Sequence, residues 1–179
     1  MNQSIKQSLV MGVCVLLPLS CKAPAENSEM KSTKTLGGRV VTIKNVNTKK
    51  CLENWDYGGW NGKKIIQNAC KSNKTQKWQL HFKDSDGGKY VIRPEAGSDT
   101  VIDVTHEGEV LGVQLWKYNE GNRNQLWAIV ESGVNKFILR SVALPKKCLG
   151  FSKDKTDDLT QLEILDCSPV NGQMWTIDK

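Results

Sequence analysis

The sequence predicts an all-β domain made of three repeats. Three Gln-x-Trp motifs recur with their tryptophans 49 and 48 residues apart, and a fixed period of this size is typical of repeat architectures. The segments between them are short, rich in β-branched and aromatic residues, and separated by turns rich in Gly, Asn and Asp, as strands are. No amphipathic helical stretch of useful length is visible. The motifs are Gln76-Lys77-Trp78, Gln125-Leu126-Trp127 and Gln173-Met174-Trp175.

Two further markers keep the same order, with steps of 47 to 50 residues between repeats. One is an apolar alternation followed by a basic residue, at 41–44, 90–93 and 137–140. The other is the triplet Cys51-Leu52-Glu53, Val101-Ile102-Asp103 and Cys148-Leu149-Gly150. One repeat of about 48 residues cannot bury both faces of its strands, so all three must share one core.

Composition limits the class of protein. The chain has 179 residues, 39% hydrophobic and 25% charged, which is the mix of a soluble globular protein and excludes fibrous or largely disordered chains. No apolar run approaches the roughly 18–20 residues of a spanning helix, which excludes a multispan membrane protein. The net charge of +6 is far from the dense basic clustering of a nucleic-acid binder, so we expect no nucleic-acid partner.

The N-terminus predicts export. A short apolar run at 9–19 follows Lys6 and predicts the hydrophobic region of a secretory signal over 1–25, with a buried N-terminal helix as the alternative. Residues 17–21 resemble a bacterial lipobox in which Cys21 becomes lipidated, although Pro18 stands where Leu is preferred; an A-x-A site at 23–25 competes with it. Residues 26–36 are polar and predict a flexible tether, which a lipid-anchored domain would need to stand off a membrane. One domain follows over 37–179.

Four cysteines remain after the signal. They are Cys51, Cys70, Cys148 and Cys167; the first two lie 19 positions apart, and so do the last two. Export predicts disulfides, and four cysteines allow three pairings. The equal spacing favours 51–70 with 148–167. Zinc is the alternative, but the C-x₂₋₄-C pairs that it usually needs are missing, so we expect no metal and no cofactor.

The three repeats, each ending in Gln-x-Trp, resemble the ricin B-chain type β-trefoil lectins and the related carbohydrate-binding modules of xylanases. The resemblance covers about 37–179 and implies a barrel and cap of six hairpins with pseudo-threefold symmetry. It also implies one disulfide within a repeat. The middle repeat has Val101 and Tyr118 at the two cysteine places, so both partners are absent together. We expect Trp78, Trp127 and Trp175 in the core and the motif glutamines bonded to backbone groups.

Sugar binding needs other residues. A sugar presents hydroxyls and one apolar C–H face. Its binding site therefore needs a carboxylate and an amide for the hydroxyls and an exposed aromatic ring for the apolar face. The resemblance implies that these are the Asp after the first Cys place, the aromatic two before the second, and the Asn before Gln-x-Trp. The second repeat has Asp103, Trp116 and Asn124, with Gln114 nearby and Gln125 following. We therefore expect the main sugar site there; the alternative is that Trp116 packs and Asp103 caps a turn.

The other two repeats depart from the template. The first has Glu53, Asn68 and Thr75 in these places, so the aromatic and the Asn are missing. The third has Gly150, Leu165 and Gly172 and retains nothing.

A second aromatic group lies between the first two cysteines. Trp55, Tyr57 and Trp60 are interrupted by glycines, which predicts a loop. The group is a possible secondary site: a nonstandard sugar platform, a protein contact or a plug at one end of the barrel. The first repeat is also rich in lysine, which could bind anionic glycans or acidic lipids, with an ordinary solvated surface as the alternative.

These patterns predict a non-catalytic lectin. No G-x-S-x-G, H-E-x-x-H or P-loop motif is present, so we expect no enzyme. The resemblance implies galactose-like or xylan-like ligands. Export predicts a bacterial outer-membrane or cell-surface lipoprotein, anchored through its lipid, or a secreted protein. The alternative is a protein-interaction or toxin-accessory module that contacts toxin or host proteins, resembling the lectin-like subunits of cytolethal distending toxins.

Overall fold

The structure, a computed structural model, describes residues 36–179 except 56–59, 97–98, 108–109, 153 and 170. The expected signal peptide, its lipidation site Cys21 and the tether up to Thr35 lie outside the described residues. Leu36, expected at the end of the tether, packs partly buried against the core. Within the described residues, no helix has the length and apolarity needed to cross a membrane.

Short antiparallel strands form the described part of each repeat, and a 3₁₀ turn precedes each final strand. The first repeat contains β1 (Arg39–Asn45), β2 (Cys51–Asn54), β3 (Lys63–Asn68) and β4 (Trp78–Lys83), with 3₁₀ turns at Lys74–Gln76 and Asp84–Asp86. The second contains β5 (Lys89–Pro94), β6 (Thr100–Glu107), β7 (Val110–Lys117) and β8 (Trp127–Glu131), with a turn at Arg123–Gln125. The third contains β9 (Phe137–Ser141), β10 (Lys147–Gly150), β11 (Thr160–Gln161), β12 (Glu163–Asp166) and β13 (Trp175–Asp178), with a turn at Asn171–Gln173.

Six strands, two from each repeat, close into a barrel. Antiparallel pairing runs from β1 to β4, β5, β8, β9 and β13, and β13 returns to β1, where Ile43 lies opposite Ile177. The first and last strands of the domain are therefore neighbours. Closure leaves no unpaired barrel edge, which removes a route to aggregation.

Three hairpins cap one end of the barrel, one from each repeat: β2–β3, β6–β7 and β10–β12. They also pair with one another around the pseudo-threefold axis, through contacts of β3 with β7, β7 with β12, and β3 with β11. The barrel and cap confirm the expected β-trefoil.

The three motif tryptophans are fully buried, at 0% exposure. Each indole N–H donates to a backbone carbonyl of the cap hairpin in its own repeat, at 3.0 to 3.2 Å. The accepting residues are Leu52, Ile102 and Leu149, which directly precede the three carboxylate places of the sugar template. The core ring of each repeat thus fixes the strand that carries the candidate ligand residue.

The motif glutamines hold the segment that precedes each 3₁₀ turn. In the second repeat, the Nε2 of Gln125 donates to the carbonyl of Lys117 at 2.9 Å, and its Oε1 accepts from the amide of Asn119 at 2.8 Å. Gln76 and Gln173 make the equivalent pair of bonds. This use of both amide atoms confirms the expected bonding to backbone groups.

The disulfides are Cys51–Cys70 and Cys148–Cys167, as predicted. In the second repeat, Val101 and Tyr118 take the cysteine places and pack in a small apolar cluster with Leu126. Apolar contact there replaces the covalent link.

One buried polar side chain is unsatisfied. Asn54 in β2 has 0% exposure, and neither of its amide atoms has a hydrogen-bond partner among the described residues. Its places in the other two repeats are held by the core residues Val104 and Phe151.

Candidate functional site

The second repeat places several of its predicted site residues on one face of the β6–β7 hairpin. Trp116 lies opposite Val101, and Gln114 lies opposite Asp103. Directly opposed residues of an antiparallel pair share a face, and so do residues two apart along a strand. Asp103, Gln114 and Trp116 therefore point to the same side of the cap.

The exposures of these residues differ. Trp116 is 42% exposed, so its ring is open to solvent. Asp103 is only 5% exposed, and its Oδ1 accepts a hydrogen bond from Nε2 of Gln114 at 3.5 Å. An exposed ring beside a recessed carboxylate is the arrangement that a sugar needs, with its C–H face on the ring and a hydroxyl directed inward. The exposure of Trp116 contradicts the alternative in which its ring is packed.

Asn124 reaches this area from the 3₁₀ turn at Arg123–Gln125. Its backbone N–H donates to Oδ1 of Asn122 at 3.1 Å, which caps the turn. The turn packs against β6, and Trp127, just beyond it, is bonded to the carbonyl of Ile102. Asn124 is half-buried, so it lies on the turn next to the strand that carries Asp103.

Gln125 requires a correction. It has 0% exposure, and both of its amide atoms are bonded to the backbone of Lys117 and Asn119. The expectation that it faces a sugar is wrong, because a ligand could reach it only by breaking the turn.

In the first repeat the carboxylate is already engaged. Glu53 accepts hydrogen bonds from the hydroxyl of Thr75 at 3.1 Å and from Nε2 of Gln76 at 2.7 Å. The extra methylene of Glu relative to Asp lets it reach the motif glutamine. The place of the aromatic ring is held by Asn68, which is 8% exposed. This place offers a sugar no ring to stack on.

In the third repeat the equivalent recess is closed by backbone. A Cβ added at Gly150 would lie 2.7 Å from Cγ of Gln173 and 2.8 Å from the carbonyl oxygen of Gly172. The N–H of Phe151 donates to the same carbonyl at 3.3 Å. No side chain fits where the template needs a carboxylate, so this repeat is closed to a sugar in the family's manner.

The predicted second aromatic group is described only in part. Trp55 is 42% exposed and Trp60 is 71% exposed, which contradicts a plug role for these two rings, while Tyr57 lies outside the described residues. The side chain of Asn61 accepts from the N–H of Lys117 at 2.6 Å. Trp60 and Trp116 directly precede these two hydrogen-bonded residues in the chain, which places this loop beside the second-repeat site.

A small charged group borders the second repeat. The Tyr118 hydroxyl donates to Glu120 at 2.7 Å, and Lys83 pairs with Glu120 at 2.8 Å. The ammonium of Lys83 and the guanidinium of Arg93 lie 5.7 and 5.6 Å from the centre of the Tyr118 ring. The hydrogen bonds from Lys83 and Tyr118 lower the pKa of Glu120. The group holds Tyr118, and with it the end of β7, next to β4 and β5.

Within the part of the chain that the structure describes, no three His, Cys, Asp or Glu side chains are grouped to hold a metal ion.

Solved structures share this architecture. The designed threefold-symmetric protein ThreeFoil superposes with a TM-score of 0.67 and 22% identity, over 78% of this chain and 98% of its own. A ricin B-like lectin of Macrolepiota procera in complex with lactose gives 0.65 and 20%, over 80% and 96%. A mosquitocidal holotoxin gives 0.71 and 20%, over 79% of this chain but only 17% of the toxin. Such identities show the fold alone.

Sequence comparison identifies the family. No curated protein matches the chain. The family model described as "Ricin-type beta-trefoil lectin domain" matches residues 39–175. This range covers β1 to β12 and the first residue of β13. The chain therefore belongs to the ricin-type β-trefoil lectin family.

Proposed function

We propose that this protein is a non-catalytic carbohydrate-binding protein with one main site in its second repeat. The observation that carries the proposal is the shared face of Asp103, Gln114 and Trp116, with Trp116 open to solvent. The equivalent places of the other repeats support it, because one lacks the ring and the other is filled by backbone.

Each residue has a distinct role in this site. Asp103 accepts hydrogen bonds from one or two sugar hydroxyls, and the amide of Gln114 orients its carboxylate. Trp116 stacks on the C–H face of the ring, a contact worth about 1 kcal/mol by analogy with ring packing. Asn124 donates to and accepts from neighbouring hydroxyls. A single shallow site of this kind gives a dissociation constant of about 1 mM, near −4 kcal/mol.

Galactose-like and xylan-like sugars are the candidate ligands. A glycan array with the oxidised protein tests the proposal. Trp116→Ala and Asp103→Asn should each abolish the signal, because one removes the platform and the other the anionic acceptor. Val134→Ala, at a side chain 88% exposed on the turn between β8 and β9, is the matched control and should bind normally.

Two outcomes would count against the second-repeat site. Binding that survives both Trp116→Ala and Asp103→Asn would place the sugar elsewhere. No binding to any glycan by a folded, oxidised protein would reject the lectin function and favour the second candidate below.

The second candidate is a protein-contact or toxin-accessory module. The exposed rings of Trp55 and Trp60 favour it, since aromatic residues are enriched at interfaces. Similarity to one segment of a mosquitocidal holotoxin is consistent with such a role. Pull-down with Trp60→Ala as the comparison tests it: capture that is unchanged by the substitution would reject a contact through this loop.

Export to a bacterial surface or exterior completes the proposal. The sequence features at 1–25 and the two disulfides support it, because structural disulfides persist in oxidising compartments. Intact-mass measurement of the mature protein separates the two processing routes. A lipid-modified N-terminus at Cys21 supports the anchor, and an unmodified start at Glu26 supports secretion.

A further inference from the structure

A cavity separate from the proposed sugar site lies between the first and third repeats. Its volume is about 390 Å³, within the range of small-molecule sites. Strand β3 forms one wall and β11, paired with it, forms another. The cavity is lined by Trp55, Gly62, Lys63, Lys64, Ile66, Leu159 and Gln161.

The wall from the third repeat is held in place by several contacts. Gln67 has 0% exposure, and its Nε2 donates to the carbonyls of Lys155 and Asp157 at 2.9 and 3.2 Å. Asp158 pairs with Lys50 at 2.8 Å and accepts from a backbone amide of the first repeat. The cavity is thus largely formed before a ligand arrives, which lowers the cost of binding.

Leu159 stands at the rim in an unusual conformation. Its φ is 64°, a left-handed backbone that is uncommon for a residue with a large side chain, and the side chain is 52% exposed. Its N–H donates to the carbonyl of Gln67 at 2.9 Å. The fold therefore holds an apolar side chain out at the cavity mouth, where Trp55 is also exposed. Strained positions of this kind concentrate at functional sites.

The charge of the lining is positive. Lys63 and Lys64 both line the cavity, and its described lining residues include no Asp or Glu. Lys64 and Ile66 are two residues apart on β3 and so share a face, which places an exposed ammonium beside an apolar floor. Gln161, opposite Ile66 in the strand pairing, adds an amide that can both donate and accept.

The cavity continues toward the pseudo-threefold axis. A narrower space of about 110 Å³ shares Gly62, Lys64 and Gln161 with it. Gly112 also lines this space. Each repeat contributes the residue six positions before its second cysteine place, and these residues are Lys64, Gly112 and Gln161. The two spaces together suit more than one sugar ring.

We infer that this cavity binds an acidic saccharide, meaning a short chain of sugars that carries carboxylate or sulfate groups. Trp55 and Leu159 cover the C–H face of one ring. The ammonium of Lys64 pairs with the anionic group, and Gln161 bonds to a hydroxyl. The 390 Å³ cavity itself is lined by none of Asp103, Gln114, Trp116 and Asn124. Its narrower extension reaches Gln114 of the second repeat.

Three probes test the inference by titration calorimetry with the oxidised protein. They are tetragalacturonate, its fully methyl-esterified form and a heparin-derived tetrasaccharide. The ester has the same sugar skeleton without the charge. Tetragalacturonate should bind at least tenfold more tightly than the ester, as expected for loss of a charge-assisted bond. Its affinity should fall as salt rises from 50 to 300 mM, because the charges are partly exposed.

Variants assign the binding to this cavity. Lys64→Gln removes the charge and keeps a polar side chain one atom shorter, and it should weaken tetragalacturonate binding about fivefold to tenfold. Trp55→Ala should weaken all bound probes. The control is Lys136→Gln, at an exposed lysine on the turn between β8 and β9, which should change nothing. Trp116→Ala removes the platform of the proposed sugar site and separates the two sites: the part of the binding that depends on Lys64 should persist in this variant.

Each outcome either supports or overturns the binding of an acidic saccharide in this cavity. Binding of the heparin fragment alone, with the same dependence on Lys64, supports the site and assigns it to sulfate. Equal affinity for tetragalacturonate and its ester would overturn the inference, as would no binding of either acidic probe. Equal losses from Lys64→Gln and Lys136→Gln would reduce it to general surface charge. Loss through Trp116→Ala alone would transfer acidic binding to the second repeat and leave only the proposed function standing.

Discussion

Replacing Asn54 by leucine should stabilise the protein. Asn54 is fully buried, and neither amide atom has a partner among the described residues. Leucine has the same number of side-chain heavy atoms and a similar branched shape. The equivalent places already hold the apolar side chains of Val104 and Phe151, so the surroundings suit leucine.

The magnitude follows from the cost of an unsatisfied buried polar group, which is about 1–3 kcal/mol. For a domain of this size, 1 kcal/mol shifts the melting temperature by about 3 °C. Asn54→Leu should therefore raise the melting temperature of the oxidised protein by about 3–9 °C.

Thermal unfolding followed by circular dichroism and tryptophan fluorescence measures this shift. Asn45→Leu is the matched control, since Asn45 also has 0% exposure. Its amide, however, donates to the carbonyls of Gly172 and Met174 and accepts from the N–H groups of Asn47 and Thr48. The control should lower the melting temperature, because it leaves those backbone groups unpaired. A decrease with Asn54→Leu as well would refute the reasoning.

Three further predictions concern stability. Removing the Cys148–Cys167 bridge with a double alanine variant should lower the free energy of unfolding by about 3 kcal/mol in the chain-entropy model; urea denaturation measures it, and a loss under 1 kcal/mol would contradict that model here. Gly150→Ala should cost about 1–3 kcal/mol, since the new Cβ meets a backbone carbonyl at 2.8 Å, and an unchanged urea midpoint would show that the strand can shift. The hydrogen bond from Lys50 lowers the pKa of Asp158. The ion pair between these two residues therefore stabilises the fold above about pH 4, and this stabilisation disappears as the pH falls through the lowered pKa of Asp158. The melting temperature of Asp158→Asn should accordingly lie below that of the unmodified protein at pH 7 and match it at pH 2.5, while an equal gap at both pH values would reject the ion pair as the cause.

Regular spacing made the fold predictable. Trp78, Trp127 and Trp175 recur because three repeats bury the same ring in one core, so a periodic sequence reports a periodic structure. The disulfide pairing followed from the equal spacing within the two pairs of cysteines. The face that carries Asp103 and Trp116 was also predictable, because strand alternation fixes it once the register is known.

Other features depend on contacts between distant segments. Gln125 follows the template residue Asn124, but whether an amide faces a ligand or the backbone depends on the path of the turn around it. The backbone contact that closes the third repeat joins Gly150 to Gly172 and follows from the approach of two loops. The acidic-saccharide cavity joins Trp55 to Leu159, which no local pattern connects. The burial of Asn54 depends in the same way on the packed cap, which places this end of β2 in the core.

The pairing of β1 with β13 has a consequence for how the chain folds. Contacts such as Ile43 with Ile177 join residues 134 positions apart, and contacts of such long range slow folding. During synthesis, one edge of β1 stays without its partner until the last strand emerges. Natural domain ends that lie side by side also suit circular permutation. A permutant that joins the paired ends by a short linker and opens the exposed turn at Val134 should form the same barrel, with its seam completed by a short-range hairpin.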